Sequence, residues 1–168
     1  MVTSRIVATG AGIPSQVITN DDLAQIMDTS DEWIRQRTGI GERHISGGED
    51  LSYYTTKAAR QIIERAGIAP EDIDLIVVAT VTADYCTPSA ACMVQKEIGA
   101  VNAVAFDVTA ACSGFLYGVS VADKFIRCGV YKNALVIGGE ILSKIVDWQD
   151  RSTCVIWRWR SRRAAGAF

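Results

Sequence analysis

In the stretch DVTAACSGFLYG, residues 107–118, an apolar, β-rich run gives way to helical spacing, and Cys112 stands at the seam beside Ser113 and Gly114. A thiol at a helix start meets unpaired N–H groups and the positive end of the helix dipole, which favours thiolate and suits a nucleophile. The backbone N–H of Cys112 is placed to stabilise an oxyanion in the same pocket, and Gly114 permits close approach. The position equally suits a small buried cysteine that packs a helix start. Cys86, Cys92, Cys128 and Cys154 complete an odd set of five without a CxxC pair, against both a disulfide framework and a zinc site. They read as thiols.

A second constellation lies in TSDEWIRQRTGI, where Trp33 and Arg37 are four residues apart on one helical face. A flat aromatic surface and a planar cation side by side suit an adenine ring, sandwiched by stacking, with the guanidinium serving phosphate charge. The plainer role is a Trp that anchors its helix to the core while Arg37 is solvated. His44, the single histidine, follows the turn-rich GIGER and reads as structural rather than as a catalytic partner for cysteine.

The elements that must position these groups alternate along the chain. SRIVATGAGI reads as a strand ended by Gly and Pro14, and Asn20 opens the acid-led helix DDLAQIM. DEWIRQRTG follows Ser30 as a short helix closed by Gly39. In DLSYYTTKAARQIIERAG, Leu51, Tyr54, Ala58, Ile62 and Ala66 recur at helical spacing, with Ser52 as cap and Gly67 as stop. DLIVVATVT, NAVAFDVTA and NALVIGGE are apolar runs of strand length, as expected of strands covered on both faces. Between them lie the helices PSAACMVQKEIGA, opened by Pro88, and CSGFLYGVSVADKFIRCG. This alternation predicts right-handed crossovers and a mostly parallel α/β sheet.

With 168 residues, 49% hydrophobic and 21% charged, the chain can bury one ordinary core. RIVATGAGI is too short and too soon followed by polar residues for a signal peptide or a membrane span, so a cytoplasmic protein is expected. The net charge of −2 conceals a division: residues 157–168 hold four Arg and no acid, leaving 13 basic against 19 acidic residues upstream. The tail WRWRSRRAAGAF interleaves Trp and Arg, a composition that also suits nucleic acid or a membrane surface; a disordered basic end is the preferred reading.

DVTAACSGFLYG, with TSDEWIRQRTGIGERH upstream, ATVTADYCTPSAACMVQ and NALVIGGEILS between the flanks, and DWQDRSTCVI downstream, resembles the N-terminal half of the β-ketoacyl-acyl-carrier-protein synthase III family, colinearly from residue 4 to about 156. The resemblance implies a thiolase-like layered α-β-α-β-α sandwich, of which residues 1–156 supply the first half. It implies that Cys112 takes an acyl group from acyl-CoA as a thioester. The carbanion from decarboxylating malonyl-acyl-carrier protein then attacks that thioester, initiating type II fatty-acid synthesis. A starter condensing enzyme of polyketide synthesis is the neighbouring alternative. By the same resemblance Trp33 and Arg37 match the CoA adenine clamp, with Thr29 at its rim and Arg151 stacking from the other side. The family is homodimeric, and ADYCTPSAAC resembles the loop that crosses to the partner, placing Thr87 in the partner's acyl pocket; a Thr where Phe is common implies a longer pocket. Thr87 alternatively caps the helix opened by Pro88. No metal or other cofactor is implied, acyl-CoA being a substrate, and neither nucleic acid nor membrane is an expected partner. The family's catalytic His and Asn lie in its second half, outside these 168 residues.

After DRSTCVI the family continues with a Gly-rich Phe-Gly-Asp-Gly-Ala turn, whereas this chain reads Trp157-Arg158-Trp159-Arg160. The codons TTT-GGC-GAT-GGC-GC, read from the third base, become TGG-CGA-TGG-CGC and encode that tetrapeptide. The expectation is a frameshifted fragment, unable to turn over, whose sheet lacks its covering half and favours aggregation or co-assembly.

Overall fold

In chain order the elements are β1 (Ala8–Thr9), β2 (Gln16–Thr19), α1 (Asn20–Ala24), α2 (Asp31–Thr38), β3 (Glu42–Ile45), α3 (Leu51–Ala66), β4 (Leu75–Ala79), α4 (Ala90–Ile98), β5 (Val104–Val108), α5 (Gly114–Arg127), β6 (Ala134–Gly138) and β7 (Ala165–Ala167). The computed structural model describes residues 3–148, 150, 153–154 and the strand 165–167. Arg151 and the run Trp157–Arg160 lie outside the described residues. The chain divides into two compact units, residues 1–12, 50–140 and 163–168 in the first and 13–49 with 141–162 in the second.

The first unit is built on a five-stranded sheet of order β1-β7-β6-β4-β5. The three expected apolar strands are parallel, with Ala79 level with Val108 on one side and Gly138 on the other, but β5 lies at the sheet edge and is only half-buried rather than covered on both faces. β7 joins β6 and β1 antiparallel, so the sheet is mixed, and part of the tail expected to be disordered forms a strand. β4 is buried along its whole length, and β6 nearly so, because side chains of both faces are covered. Leu75, Val77, Ala134 and Val136 pack against Ala122 and Ile126 of α5. By strand alternation Ile76, Val78, Leu135 and Ile137 occupy the other face, where α3 and α4 pack on each other and on the sheet. A Cβ on Gly118 would come within 3.0 Å of Val136 and 3.2 Å of Val77, so glycine there sets how closely α5 lies on the sheet.

Several helix ends differ from the sequence reading. Ser52 does not cap α3: the helix already begins at Leu51, and the Asp84 carboxylate accepts from the Leu51 and Ser52 N–H groups at 2.8 Å each. Thr87 does not cap α4; Ser89 does, accepting from the Cys92 N–H, while Asp107 of β5 accepts from Ala90 and Ala91 at 2.8 Å each. Two carboxylates remote in sequence thus satisfy helix N-termini that local residues leave open. The N-terminal strand shrinks to Ala8–Thr9, with Ile6 and Val7 exposed. Gly10 and Gly12 instead bring the chain against the backbone of α3, beside the carbonyls of Ala58 and Tyr54.

In the second unit β2 and β3 pair antiparallel from Gln16↔Ile45 to Thr19↔Glu42, a ladder absent from the sequence reading. α1 ends at Ala24 and is opened by a Thr19–Asp22 capping box rather than by Asn20. Leu23, Ile34 and Ile40 form the apolar centre, with Ile18, Met27, Trp33 and Trp148 packed around it. Asn20 is buried because it completes a polar lattice: its amide donates to Asp31 and to the Ile40 carbonyl, and its oxygen accepts from Arg43.

Candidate active site

The carboxyl-terminal edge of the parallel strands in the first unit collects the chemistry-bearing loops, the edge at which open α/β sheets bind ligands. β5 ends at Val108, and the chain turns through a single 3-10 turn, Ala111–Ser113, into α5. Cys112 lies in that turn and is exposed, two residues before the first residue of α5. Gly114 is buried, and a Cβ there would stand 3.1 Å from that of Ala79, so the helix start closes against β4. Thr87, also exposed, belongs to the connection that leaves the same edge of β4, beside β5.

Two features of this edge escaped the sequence reading. Glu140, just beyond β6, accepts from the Val81 N–H at 2.8 Å and from the hydroxyls of Thr80 and Thr82, fixing the loop that leaves β4. Its signal was an acid directly after an apolar strand. Ala111 has φ +44°, the left-handed region, and is the single non-glycine residue so placed among the described residues. Nothing in its identity announces that.

In the second unit α2 is capped by Ser30 and stopped by Gly39 at φ 70°, as its sequence requires. The i,i+4 spacing brings Trp33 and Arg37 together: the Arg37 Cζ lies 4.2 Å from the Trp33 ring centroid. The guanidinium therefore covers one face of the indole, and a base that stacks on Trp33 must use another face or displace Arg37. Trp33 also packs against the apolar centre of its unit, so anchoring and stacking fall on one side chain. Thr29, next to the Ser30 cap, is half-buried, and its hydroxyl has no hydrogen-bond partner among the described residues. Asp31 on the same helix takes Arg35 at 2.7 Å, and its carboxyl is held below the usual range, first by the Asn20 hydrogen bond and then by Arg35. His44 Nδ1 lies 2.8 Å from the Pro14 carbonyl, a backbone tie consistent with a structural residue.

Cys154 is buried with its sulfur against the Asp147 carbonyl, and burial is the main cause that pushes its thiol above the ordinary value. A raised thiol holds less thiolate at neutral pH, so Cys154 is expected to alkylate at least about tenfold more slowly than the exposed Cys86 and Cys128. Site-resolved mass spectrometry after brief iodoacetamide treatment checks this; equal labelling would contradict the buried placement. Among the described residues no cluster of three or more His, Cys, Asp or Glu could hold a metal ion, and no helix is long and apolar enough to cross a membrane.

The family described as 3-oxoacyl-[acyl-carrier-protein] synthase III matches residues 106–157, the segment that contains Cys112. A β-ketoacyl-[acyl-carrier-protein] synthase III of Clostridium tetani is 56% identical over 153 residues, covering 91% of this chain and 46% of that protein. The 3-oxoacyl-[acyl-carrier-protein] synthase III structure from Aquifex aeolicus superposes with a TM-score of 0.90 at 48% identity, over 99% of this chain and 52% of its own. A priming β-ketosynthase of the R1128 polyketide pathway gives a TM-score of 0.90 at 34% identity, over 99% and 49%. The fold is therefore that of a thiolase-like α/β chain, shared with solved condensing enzymes. Over the residues it covers, the chain is similar to β-ketoacyl-acyl-carrier-protein synthase III proteins, and it spans about half the length of the relatives it matches.

Proposed function

We propose that this sequence serves the first condensation of type II fatty-acid synthesis, with Cys112 as the nucleophile. The observation that carries the reading is an exposed thiol on the turn between β5 and the N-terminus of α5, at the carboxyl-terminal edge of the parallel strands, where ligands bind in open α/β sheets. The Cys112 thiolate attacks the acyl-CoA thioester carbonyl, a C–S bond forms, and CoA leaves as thiolate. Decarboxylation of malonyl-acyl-carrier protein leaves the electron pair on carbon, which attacks the acyl-enzyme and releases Cys112 with the β-ketoacyl-carrier product. Cysteine carries the acyl group itself, so the scheme calls on no metal or redox cofactor. The His and Asn that the resemblance assigns to decarboxylation belong to a second half, so turnover requires that half.

Trp33, Arg37, Thr29 and Arg151 hold the CoA end in this reading, and Thr87 faces the acyl pocket of a partner copy. A homodimer is supported by β5, a sheet edge unpaired on its outer side among the described residues, with Val104 exposed. Free thiols among the described cysteines fit a reducing, cytoplasmic compartment. The polyketide priming enzyme at 34% identity favours one second reading, a starter condensation in polyketide synthesis.

The test is a condensation assay of a full-length synthase carrying this sequence, with a series of acyl-CoA primers and malonyl-carrier protein. A β-ketoacyl-carrier product from short primers supports the reading, and no product from any primer would overturn it. In the same assay Trp33→Ala is expected to raise KM for acyl-CoA about tenfold while decarboxylation of malonyl-carrier protein changes much less. Equal loss in both would assign Trp33 to folding alone.

A further inference from the structure

The turn that presents Cys112 is built around Ala111. The Ser113 N–H donates to the Ala110 carbonyl at 3.1 Å, closing a four-residue turn with Ala111 and Cys112 at its centre. Ala111 has positive φ and Cys112 does not, the pattern of a type II′ turn, whose first central position is dominated by glycine. An alanine there carries steric strain that glycine would not, since its Cβ crowds the backbone. The strain is not repaid by packing, because Ala111 is exposed. It is held from both sides: Val108 accepts from the Thr80 N–H at 3.2 Å, and Gly114 is buried against Ala79. Glycine, the relaxed choice, would also open a much wider range of positive-φ backbone to the turn.

From this we infer that Ala111 is a positioning residue: its Cβ confines the strained turn so that the Cys112 thiol keeps one orientation at the start of α5, at a cost in stability. This rests on Cys112 being the nucleophile. Residues that trade stability for a fixed reactive geometry are expected at functional sites, and relaxing them moves stability and reactivity in opposite directions. A residue with a purely structural role would move both the same way.

The experiment compares the 168-residue chain with its Ala111→Gly and Ala111→Ser variants. It reads site-resolved iodoacetamide alkylation rates at fixed pH, with Cys86 and Cys128 as internal references, alongside thermal unfolding. Wild-type Cys112 should alkylate faster than both references. Ala111→Gly should slow Cys112 at least about threefold, leave the references unchanged, and hold or raise the melting temperature. Ala111→Ser keeps a Cβ and should retain the wild-type rate. A Cys112 rate unchanged in Ala111→Gly, or slowed together with a lower melting temperature, overturns the role of Ala111 alone. A wild-type Cys112 no faster than the references overturns both this inference and the nucleophile reading.

Discussion

Cys112→Ala in a full-length synthase carrying this sequence should lower β-ketoacyl-carrier formation at least about a thousandfold, because the thioester that divides the condensation into two steps can no longer form. Decarboxylation of the malonyl group makes no bond to Cys112, so that partial reaction should survive. The split distinguishes a nucleophile from a packing residue. Cys112 is exposed, and the helix start beside it is closed by Gly114 against Ala79 rather than by the thiol, so truncating it removes little packing. Product formation within about tenfold of wild type would mean that the acyl group is carried elsewhere.

The second large effect is on folding. Gly12→Ala should destabilise the first unit by about 3 kcal/mol, a large share of the 5–15 kcal/mol that holds a typical domain. The reason is local: a Cβ on Gly12 would run into the backbone carbonyl of Tyr54 in the first turn of α3, and backbone cannot rotate aside as a side chain can. The substitution must push the N-terminal segment off α3 and with it loosen the Gln61 side chain, which both donates to and accepts from Ala11. Urea denaturation reads the shift in midpoint. At Gly47 an added Cβ would stand 3.4 Å from its nearest neighbour, the Glu49 carboxylate, which is ordinary contact, so Gly47→Ala serves as the control and should move the midpoint little.

The parts legible in the sequence were those fixed by local chemistry. α2 could be bounded because Ser30 and Gly39 carry their own start and stop, and the buried strands announced themselves because each is apolar on both faces. The seam at Cys112 was visible for the same reason, since the periodicity changes there. What escaped depends on partners distant along the chain. β2 and β3 are four residues each and become strands only by pairing with one another across 22 intervening residues. Asp84 and Asp107 cap helices that start 33 and 17 residues earlier in sequence, which no local capping rule can see. Trp33 and Arg37 were placed on one face by their spacing, but spacing does not say that the guanidinium lies over the indole and covers one of its faces. The strand-to-helix turn at Ala111 is the extreme case: the residue type argues against the conformation, and the turn between β5 and the buried start of α5 imposes it.

The central claim is that Cys112 carries the acyl group, and intact-mass analysis with peptide mapping after incubation with acyl-CoA tests it most directly. The account predicts one acyl group per chain, on the peptide containing Cys112, and none in Cys112→Ser. Acylation mapping to Cys86, Cys92, Cys128 or Cys154, or persisting in Cys112→Ser, would contradict it.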